Sequence, residues 1–433
     1  MRNNIVHHRA DELTYEIREI VEVGNQFEKL GIKMYWENIG DPVAKGHKIM
    51  PWIKDIVSDL VTNDDSAYGY SPTKGILETR QYISKMRSAE GGAEITPDDI
   101  LFFNGLGDAI ATIYTYLNRH SRVLGPSPAY STHSSAEAAH AESSHLTYTL
   151  SPERNWLPDL EDIRNKVKYN PAISGILIIN PDNPTGMVYP EAVLRGIVAI
   201  AKEFDLFIIS DEIYANIVYG AQKMIPLSQI LDGVPGIAMK GLSKEVPWPG
   251  ARCGWIEVYN KKNDPVFARY VKTLFDAKML EVCSTTLPQK ALPRILGDVH
   301  YTTHLKNVAK EYGEKADLLY SILKNVPGII SPKPGGAFYA SVVFKEDILN
   351  GSQTLPVKNK KAAQLLAKIV KNVPNDKRFV YYLMASTGIC VVPLSGMNSK
   401  LDGFRVTLLE PNPEKFEQIM KTLAESIRDY LHS

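Results

Sequence analysis

The chain has 433 residues, of which 44% are hydrophobic and 23% are charged. One hydrophobic core stops growing at about 250–300 residues, so the length predicts two lobes. Lysine plus arginine equals aspartate plus glutamate at 49 each, and no charge excess favours nucleic acid or an anionic membrane. With three scattered cysteines and no apolar leader or spanning segment, we expect a soluble cytoplasmic protein with no nucleic-acid or membrane partner.

The first part of the chain predicts a helix, a tight turn and an anion-binding loop. Residues 12–31 carry apolar side chains at helical spacing and end on a glycine. A short strand then runs into the turn Gly40-Asp41-Pro42, where backbone can approach a ligand closely. Farther on, a predicted strand passes through Asn104-Gly105-Leu106-Gly107-Asp108 into a helix predicted over 109–117. Such a junction aims several backbone N–H groups at an anion.

Short apolar runs then alternate with helical stretches over residues 123–244. Continuous apolar runs separated by helices predict an α/β fold with a parallel sheet buried on both faces. Ligands bind outside the carboxyl ends of such strands. The polar side chains that follow these predicted ends are Asn183, Asp211, Tyr214 and Lys244. We therefore expect these four side chains to converge.

The last third of the chain mixes strands and helices and predicts a smaller α+β lobe. We expect residues 51–298 to form the large lobe. Residues 299–433, joined by the N-terminal segment 1–50, would form the small one. A polar insert at residues 346–361 is predicted to be a loop with no core of its own, which could alter access to the site.

Lys244 is the centre of a set of side chains that suits one cofactor, pyridoxal phosphate. A lysine amine can form a Schiff base with the cofactor aldehyde. Asp211 could pair with the pyridine nitrogen, while Ser243 and Arg252 could hold the phosphate. A lone lysine in a loop is usually a surface residue, so the cofactor hypothesis depends on the presence of Asp211, Ser243 and Arg252.

Three more side chains suit the cofactor ring. Asn183 and Tyr214 could donate hydrogen bonds to its phenolate oxygen, and Tyr130 could stack on its face. A nicotinamide cofactor is disfavoured, because Ile110 stands where the third glycine of the dinucleotide fingerprint would fall.

Four motifs of the chain carry a resemblance to a known family. They are Asn183-Pro184-Thr185-Gly186, Asp211-Glu212-Ile213-Tyr214, Ser243-Lys244 with Gly250 and Arg252, and Phe404-Arg405-Val406-Thr407. In order and spacing they are similar to the class I/II aminotransferases, which are pyridoxal-phosphate enzymes of fold type I. The resemblance implies a mainly parallel sheet sandwiched by helices. It also implies that Lys244 moves the proton between the substrate Cα and the cofactor C4′.

The same resemblance implies further contacts to the cofactor phosphate and to the substrate. The implied phosphate contacts are Leu106, Gly107 and Asp108, with Tyr70 reaching across from the neighbouring subunit of a homodimer. The implied substrate contacts are Arg405, which binds the α-carboxylate, with Gly40, Asn183, Tyr15 and Arg18.

The chain is most similar to the bacterial alanine (glutamate–pyruvate) transaminases. The motifs Tyr15-Glu16-Ile17-Arg18, Asn38-Ile39-Gly40-Asp41-Pro42 and the loop 70–75 carry this narrower resemblance. It implies amino transfer between alanine or glutamate and a 2-oxo acid. Tyr15 and Arg18 fit an ordinary amphipathic helix face equally well. A C–S lyase or an aspartate or aromatic aminotransferase of the same fold is the alternative.

Two further interpretations carry less weight. A regulator that only senses the cofactor would bring a DNA-binding segment, and we see no basic patch ahead of the fold. His300 and His304 are spaced four residues apart but lack the glutamate of a metalloprotease motif, so no metal site is expected.

Overall fold

The computed structural model describes residues 16–433, which we number by helices and strands in chain order. The first elements are α1 (Glu16–Lys29), β1 (Tyr35–Trp36), α2 (Pro51–Asn63), α3 (Leu77–Glu90), β2 (Ile100–Phe103) and α4 (Leu106–Thr115). They continue with β3 (Arg122–Ser127), α5 (Ser131–Ala141), β4 (Thr147–Ser151), β5 (Leu157–Pro158), α6 (Leu160–Tyr169), β6 (Ile173–Ile179) and α7 (Glu191–Glu203).

The second half of the chain adds strands that complete one sheet and build another. The elements are β7 (Phe207–Asp211), β8 (Gly236–Gly241), β9 (Gly254–Tyr259), α8 (Pro265–Glu281), α9 (Thr286–Leu296), α10 (Tyr301–Leu323) and β10 (Ile329–Ile330). The last are β11 (Tyr339–Phe344), α11 (Lys360–Ile369), α12 (Asn375–Thr387), β12 (Ile389–Cys390), β13 (Val392–Pro393), β14 (Gly403–Thr407) and α13 (Pro413–Leu431).

The larger sheet has eight strands in the order β2-β9-β8-β7-β6-β3-β4-β5. The central pairs, from β8 through β7, β6 and β3 to β4, are parallel. The pairs at the two edges are antiparallel. The predicted parallel sheet is therefore present, with one antiparallel strand, β9, inserted between β8 and β2.

Both faces of this sheet are buried, as the continuous apolar runs predicted. Along β6, Ile176 and Ile178 belong to one apolar core, and Leu177 and Ile179 belong to the core on the opposite face. Alternate side chains of a strand point to opposite faces, so a fully apolar strand requires cover on both. Each fully buried aliphatic side chain contributes roughly 1.5–3 kcal/mol of transfer free energy.

A second, four-stranded antiparallel sheet has the order β10-β11-β14-β13. Its apolar core also takes side chains from α1, α10, α12 and α13. The parallel pairing of β1 with β12 joins the N-terminal segment to this half of the molecule. That pairing supports the grouping of residues 1–50 with 299–433, which stays a proposal.

The insert 346–361 is a loop through Asn359, which caps α11, so its last two residues are helical and not loop as predicted. Leu349 and Leu355 are buried in the core of the second sheet. The main-chain N–H of Thr354 donates to Ser433 Oγ at 2.8 Å. These contacts attach the insert to the core of the second sheet and to the last residue of the chain.

Over residues 16–433, no helix combines the length and the apolar character that a membrane crossing requires.

Candidate active site

Three neighbouring strands of the large sheet end at the same edge. In the register of β6, β7 and β8, Ile179 lies opposite Asp211, and Asp211 lies opposite Met239. Asn183 follows the end of β6, and Lys244 follows the end of β8. The convergence expected from the sequence therefore has its structural basis in a shared strand register.

The Lys244 amine lies between a backbone turn and two aromatic rings. Its Nζ donates a hydrogen bond to the carbonyl oxygen of Gly40 at 2.7 Å. The ring centroids of Tyr214 and Phe338 lie 6.0 Å and 5.7 Å from the same nitrogen. This places the lysine next to the Gly40 turn, which belongs to the N-terminal segment.

Asp211 is a buried carboxylate, and each of its two oxygens has a hydrogen-bond partner. His133 Nε2 lies 3.1 Å from Asp211 Oδ2, and the main-chain N–H of Ile213 donates to Oδ1 at 3.2 Å. His133 is itself buried on α5, and its ring meets the ring of Tyr130 edge-on at a centroid distance of 6.4 Å. A buried carboxylate of this kind favours a cation as its partner.

Tyr214 is joined to Tyr339 by a hydrogen bond of 3.1 Å between the two hydroxyls. Burial, and then the proximity of Tyr339, raise the pKa of Tyr214 well above its ordinary value. The hydroxyl therefore keeps its proton at neutral pH and can donate it to a nearby oxyanion.

Arg405 is a buried arginine on β14, at the second sheet. Its Nη1 donates to Asn183 Oδ1 at 3.1 Å and its Nη2 donates to the carbonyl oxygen of Asn38 at 2.7 Å. Tyr339 covers its guanidinium, and within the described chain Arg405 Nε is buried with no hydrogen-bond partner. Because Asn183 Oδ1 accepts from Arg405, the amide nitrogen of Asn183 is the group that can donate to a ligand.

The amino end of α4 meets Arg252 at Gly105. Gly105 has φ of 85°, and a Cβ at this position would collide with the guanidinium of Arg252. Arg252 Nη2 donates to the carbonyl oxygen of Asn104 at 3.2 Å. The first N–H groups of a helix have no partner within it, and here a guanidinium lies beside the amino end of α4, which suits a phosphate. We call residues 104–107 with Arg252 the anion loop.

The carboxylate of Asp108 is engaged inside the protein. Its Oδ2 accepts from the main-chain N–H of Asn104 at 2.9 Å and from Lys278 Nζ at 3.0 Å. The resemblance implies that Asp108 contacts the cofactor phosphate. In the structure buried Lys278 offsets the charge of its carboxylate, and its main-chain N–H donates to the carbonyl oxygen of Gly105 at 3.2 Å.

Residues 38–423 match the family model of aminotransferase class I and II. The chain belongs to the class I and II aminotransferases. It is 54% identical to an uncharacterized aminotransferase of Methanocaldococcus jannaschii over 100% of both chains. It is 29% identical to the glutamate-pyruvate aminotransferase AlaA of Escherichia coli K12, over 76% of this chain and 80% of that one. Its fold superposes on an alanine aminotransferase from Pyrococcus furiosus with a TM-score of 0.84, at 28% identity and covering 97% and 98% of the two chains.

These aminotransferases depend on pyridoxal phosphate and share the fold type I architecture, as the sequence predicted. The residues of this chain fit the cofactor. The anion loop suits the cofactor phosphate, because the Arg252 guanidinium lies against the amino end of α4. The absence of a side chain at Gly105 allows this close approach. Buried Asp211 suits its pyridine nitrogen, and the N–H of Asn183 and the O–H of Tyr214 suit its phenolate oxygen.

The remaining residues predicted for the aminotransferase site lie in three different situations. Ser243 is partly buried in the loop before Lys244, and Tyr130 is partly buried at the start of α5. Tyr70 is 88% exposed at the surface. Arg18 lies on the exposed side of α1, and Tyr15 lies outside the described residues.

Three side chains of the aminotransferase site were missed in the sequence. They are His133 on Asp211, Phe338 beside Lys244, and Tyr339 between Tyr214 and Arg405. The available signal was the pair Gly335-Gly336, which comes shortly before Phe338 and Tyr339 in the sequence. Such glycines often mark a site where a ligand or another backbone segment approaches closely. Among residues 16–433 there is no cluster of three or more metal-ligating side chains.

Proposed function

We propose that the enzyme transfers the amino group of L-alanine to 2-oxoglutarate, and that the reverse reaction uses glutamate and pyruvate. The observation that carries the proposal is Arg405, a buried guanidinium fixed by Asn183 and Asn38. A planar guanidinium is the preferred partner of a carboxylate, and both substrates carry an α-carboxylate. The names of the bacterial and archaeal relatives support alanine as one substrate.

Three aromatic side chains surround the Lys244 amine and the Gly40 turn. The hydroxyl of Tyr339 occupies the space into which a Cβ on Gly40 would project. The Tyr214 and Phe338 rings enclose the Lys244 amine from other directions. These contacts place the Lys244 amine and the Gly40 backbone side by side, where both would meet a bound substrate.

We assign the following actions to the residues. Bound pyridoxal phosphate supplies an aldehyde for covalent attachment and a ring that withdraws electrons from the substrate Cα. Asp211, oriented by His133, keeps the proton on the pyridine nitrogen. Lys244 Nζ would hold the cofactor through its aldehyde, and the same amine would take the proton from the substrate Cα and return it at C4′. Arg405 and the Gly40 backbone orient the substrate so that this Cα faces Lys244.

We also propose that the active unit is a homodimer in the cytoplasm, with Tyr70 reaching the phosphate of the neighbouring subunit. Tyr70, Tyr68 and Leu280 are 88%, 71% and 82% exposed. Ser71 Oγ donates to the carbonyl oxygen of Ser284 at 3.0 Å, which holds the Tyr70 loop against the segment after α8. Neighbouring exposed apolar side chains of this kind are typical of an interface between subunits.

The test supplies the purified enzyme with L-alanine and 2-oxoglutarate and measures pyruvate and glutamate together. We expect equal amounts of the two products and a visible cofactor band that L-alanine bleaches and pyruvate restores. Lys244→Ala should abolish both, while Lys223→Ala, at an exposed lysine, should change neither. Pyruvate and ammonia from cystathionine without glutamate would identify a lyase. Turnover with aspartate or aromatic amino acids but not alanine would replace the proposed substrate.

A further inference from the structure

Glu245, the residue after Lys244, links the lysine loop to the Tyr214 loop. Its Oε1 accepts from the main-chain N–H of Asn216 at 2.8 Å, and its Oε2 accepts from Asn216 Nδ2 at 2.9 Å. Asn216 lies two residues after Tyr214. One carboxylate thus binds one residue through both of its oxygens, a geometry that fixes direction as well as distance.

The same residue is also bound to the first turn of α10. Tyr301 donates to Glu245 Oε2 at 3.4 Å, and His304 Nε2 donates to the main-chain oxygen of Glu245 at 2.8 Å. These bonds enter Glu245 from a helix of 23 residues whose far end belongs to the second core. The lysine loop is therefore held from two directions, by the Tyr214 loop and by α10.

A cavity of about 310 Å³ lies beside these contacts. Its walls include Glu245, Asn216 and Tyr301 together with the ion pair of Glu212 and Lys240. Leu242 and Val246, on either side of Lys244, are buried in one of the apolar cores. Packing therefore anchors the loop at these two residues, and the hydrogen bonds to Glu245 fix the direction of the segment between them.

We propose that Glu245 is a positioning residue that fixes the Lys244 amine relative to Tyr214. The inference rests on the roles proposed above for those two residues. Lys244 must meet the substrate Cα and C4′ in turn, so its loop requires one defined position. A displacement of about 1 Å at such a centre can cost about 100-fold in rate.

The test compares Glu245→Ala and Glu245→Gln with the wild type as holoenzymes. For Glu245→Ala we expect kcat to fall by about 10- to 100-fold. KM for alanine should stay nearly unchanged, because Arg405 and Asn183 are untouched. Glu245→Gln keeps an oxygen that can accept from the Asn216 main chain, so it should recover part of the lost kcat. The visible cofactor band, measured on the same samples, reports that the cofactor remains attached to Lys244.

Glu90→Ala is the matched control, because Glu90 lines the same cavity but pairs with Arg87. It should keep the wild-type kcat. Should Glu245→Ala fail to fold, Asn216→Ala removes the Nδ2 partner alone and should lower kcat in the same direction. An unchanged kcat in Glu245→Ala, or an equal loss in Glu90→Ala, overturns the positioning role. A wild type that binds cofactor but transaminates no amino acid overturns the proposed function itself, and this inference with it.

Discussion

The ring of Tyr339 covers the guanidinium of Arg405, whose Cζ lies 4.4 Å from the ring centroid. The hydroxyl of the same ring reaches Tyr214 at 3.1 Å. One side chain from β11 thus contacts the proposed carboxylate clamp and a proposed cofactor ligand together. A desolvated cation–π contact is worth about 2 kcal/mol.

The first prediction concerns this contact. Tyr339→Leu removes the aromatic face, so Arg405 is held less well and KM for alanine should rise by about 10-fold or more. Tyr339→Phe keeps the face and loses the hydroxyl, so its KM should remain close to that of the wild type. Steady-state kinetics at varied alanine concentration measure both. An equal rise in the two variants would assign the effect to the hydroxyl.

A second prediction concerns the anion loop. Gly105→Ala should weaken cofactor binding, because the new Cβ would displace Arg252 and a positive φ strains alanine. Gly351→Ala is the control: it lies outside the anion loop, is exposed, and has open space around its Cβ position. Titration of the apoenzyme with pyridoxal phosphate, followed by fluorescence, gives the two dissociation constants. Equal dissociation constants for the two variants would contradict the assignment of the anion loop to the cofactor phosphate.

A third prediction concerns Asp182, a fully buried carboxyl beside Asn183. Burial, and to a smaller extent the charge of Asp211, raise the pKa of Asp182 to about 7, although bonds from Thr185 oppose the rise. An unfolded aspartate titrates near 3.9. Between these values the folded state binds more protons than the unfolded state, so this group makes stability fall as the pH rises.

Asp182→Asn cannot titrate and keeps an oxygen for the bonds from Thr185. The variant should therefore gain stability relative to the wild type from pH 5 to pH 8, measured by urea unfolding at each pH. Asp298→Asn is the control, because bonds from His300 lower the pKa of Asp298. Asp298→Asn should gain no stability relative to the wild type as the pH rises. A constant difference between Asp182→Asn and the wild type across this range would contradict the raised pKa.

A fourth prediction concerns the proposed subunit contact. Leu280→Glu places a charge among the exposed apolar side chains near Tyr70 and should dissociate the homodimer into monomers. Val299 is 85% exposed and lies outside this group, so Val299→Glu should leave the dimer intact. Sedimentation equilibrium measures the mass of each variant. A wild type that sediments as a monomer would overturn the assembly.

The sequence predicted well those features that depend on a local pattern. A helix was expected over residues 12–31, and α1 spans Glu16–Lys29 of the described chain. The helix expected to begin at residue 109 instead begins at Leu106. That correction has a local reason: Gly105 adopts a positive φ and turns the chain directly from β2 into α4.

Contacts between distant segments could not be predicted in the same way. Tyr214 and Tyr339 are separated by 125 residues, and Arg405 and Asn183 by 222. Strand periodicity gives the face on which a side chain lies, but it does not tell how two sheets meet. His133 was missed for the same reason, because its partner Asp211 lies 78 residues away and on another element.

The two sheets divide the chemistry between them. Asp211 and the loop of Lys244 belong to the large parallel sheet, whereas Arg405 and Tyr339 stand on β14 and β11 of the small antiparallel sheet. In the proposed mechanism the small sheet holds the α-carboxylate that every amino-acid substrate carries, while the cofactor stays bound to the large sheet. A search for a new amine donor should therefore leave β11 and β14 unchanged, because a substitution there would weaken a contact that all donors share.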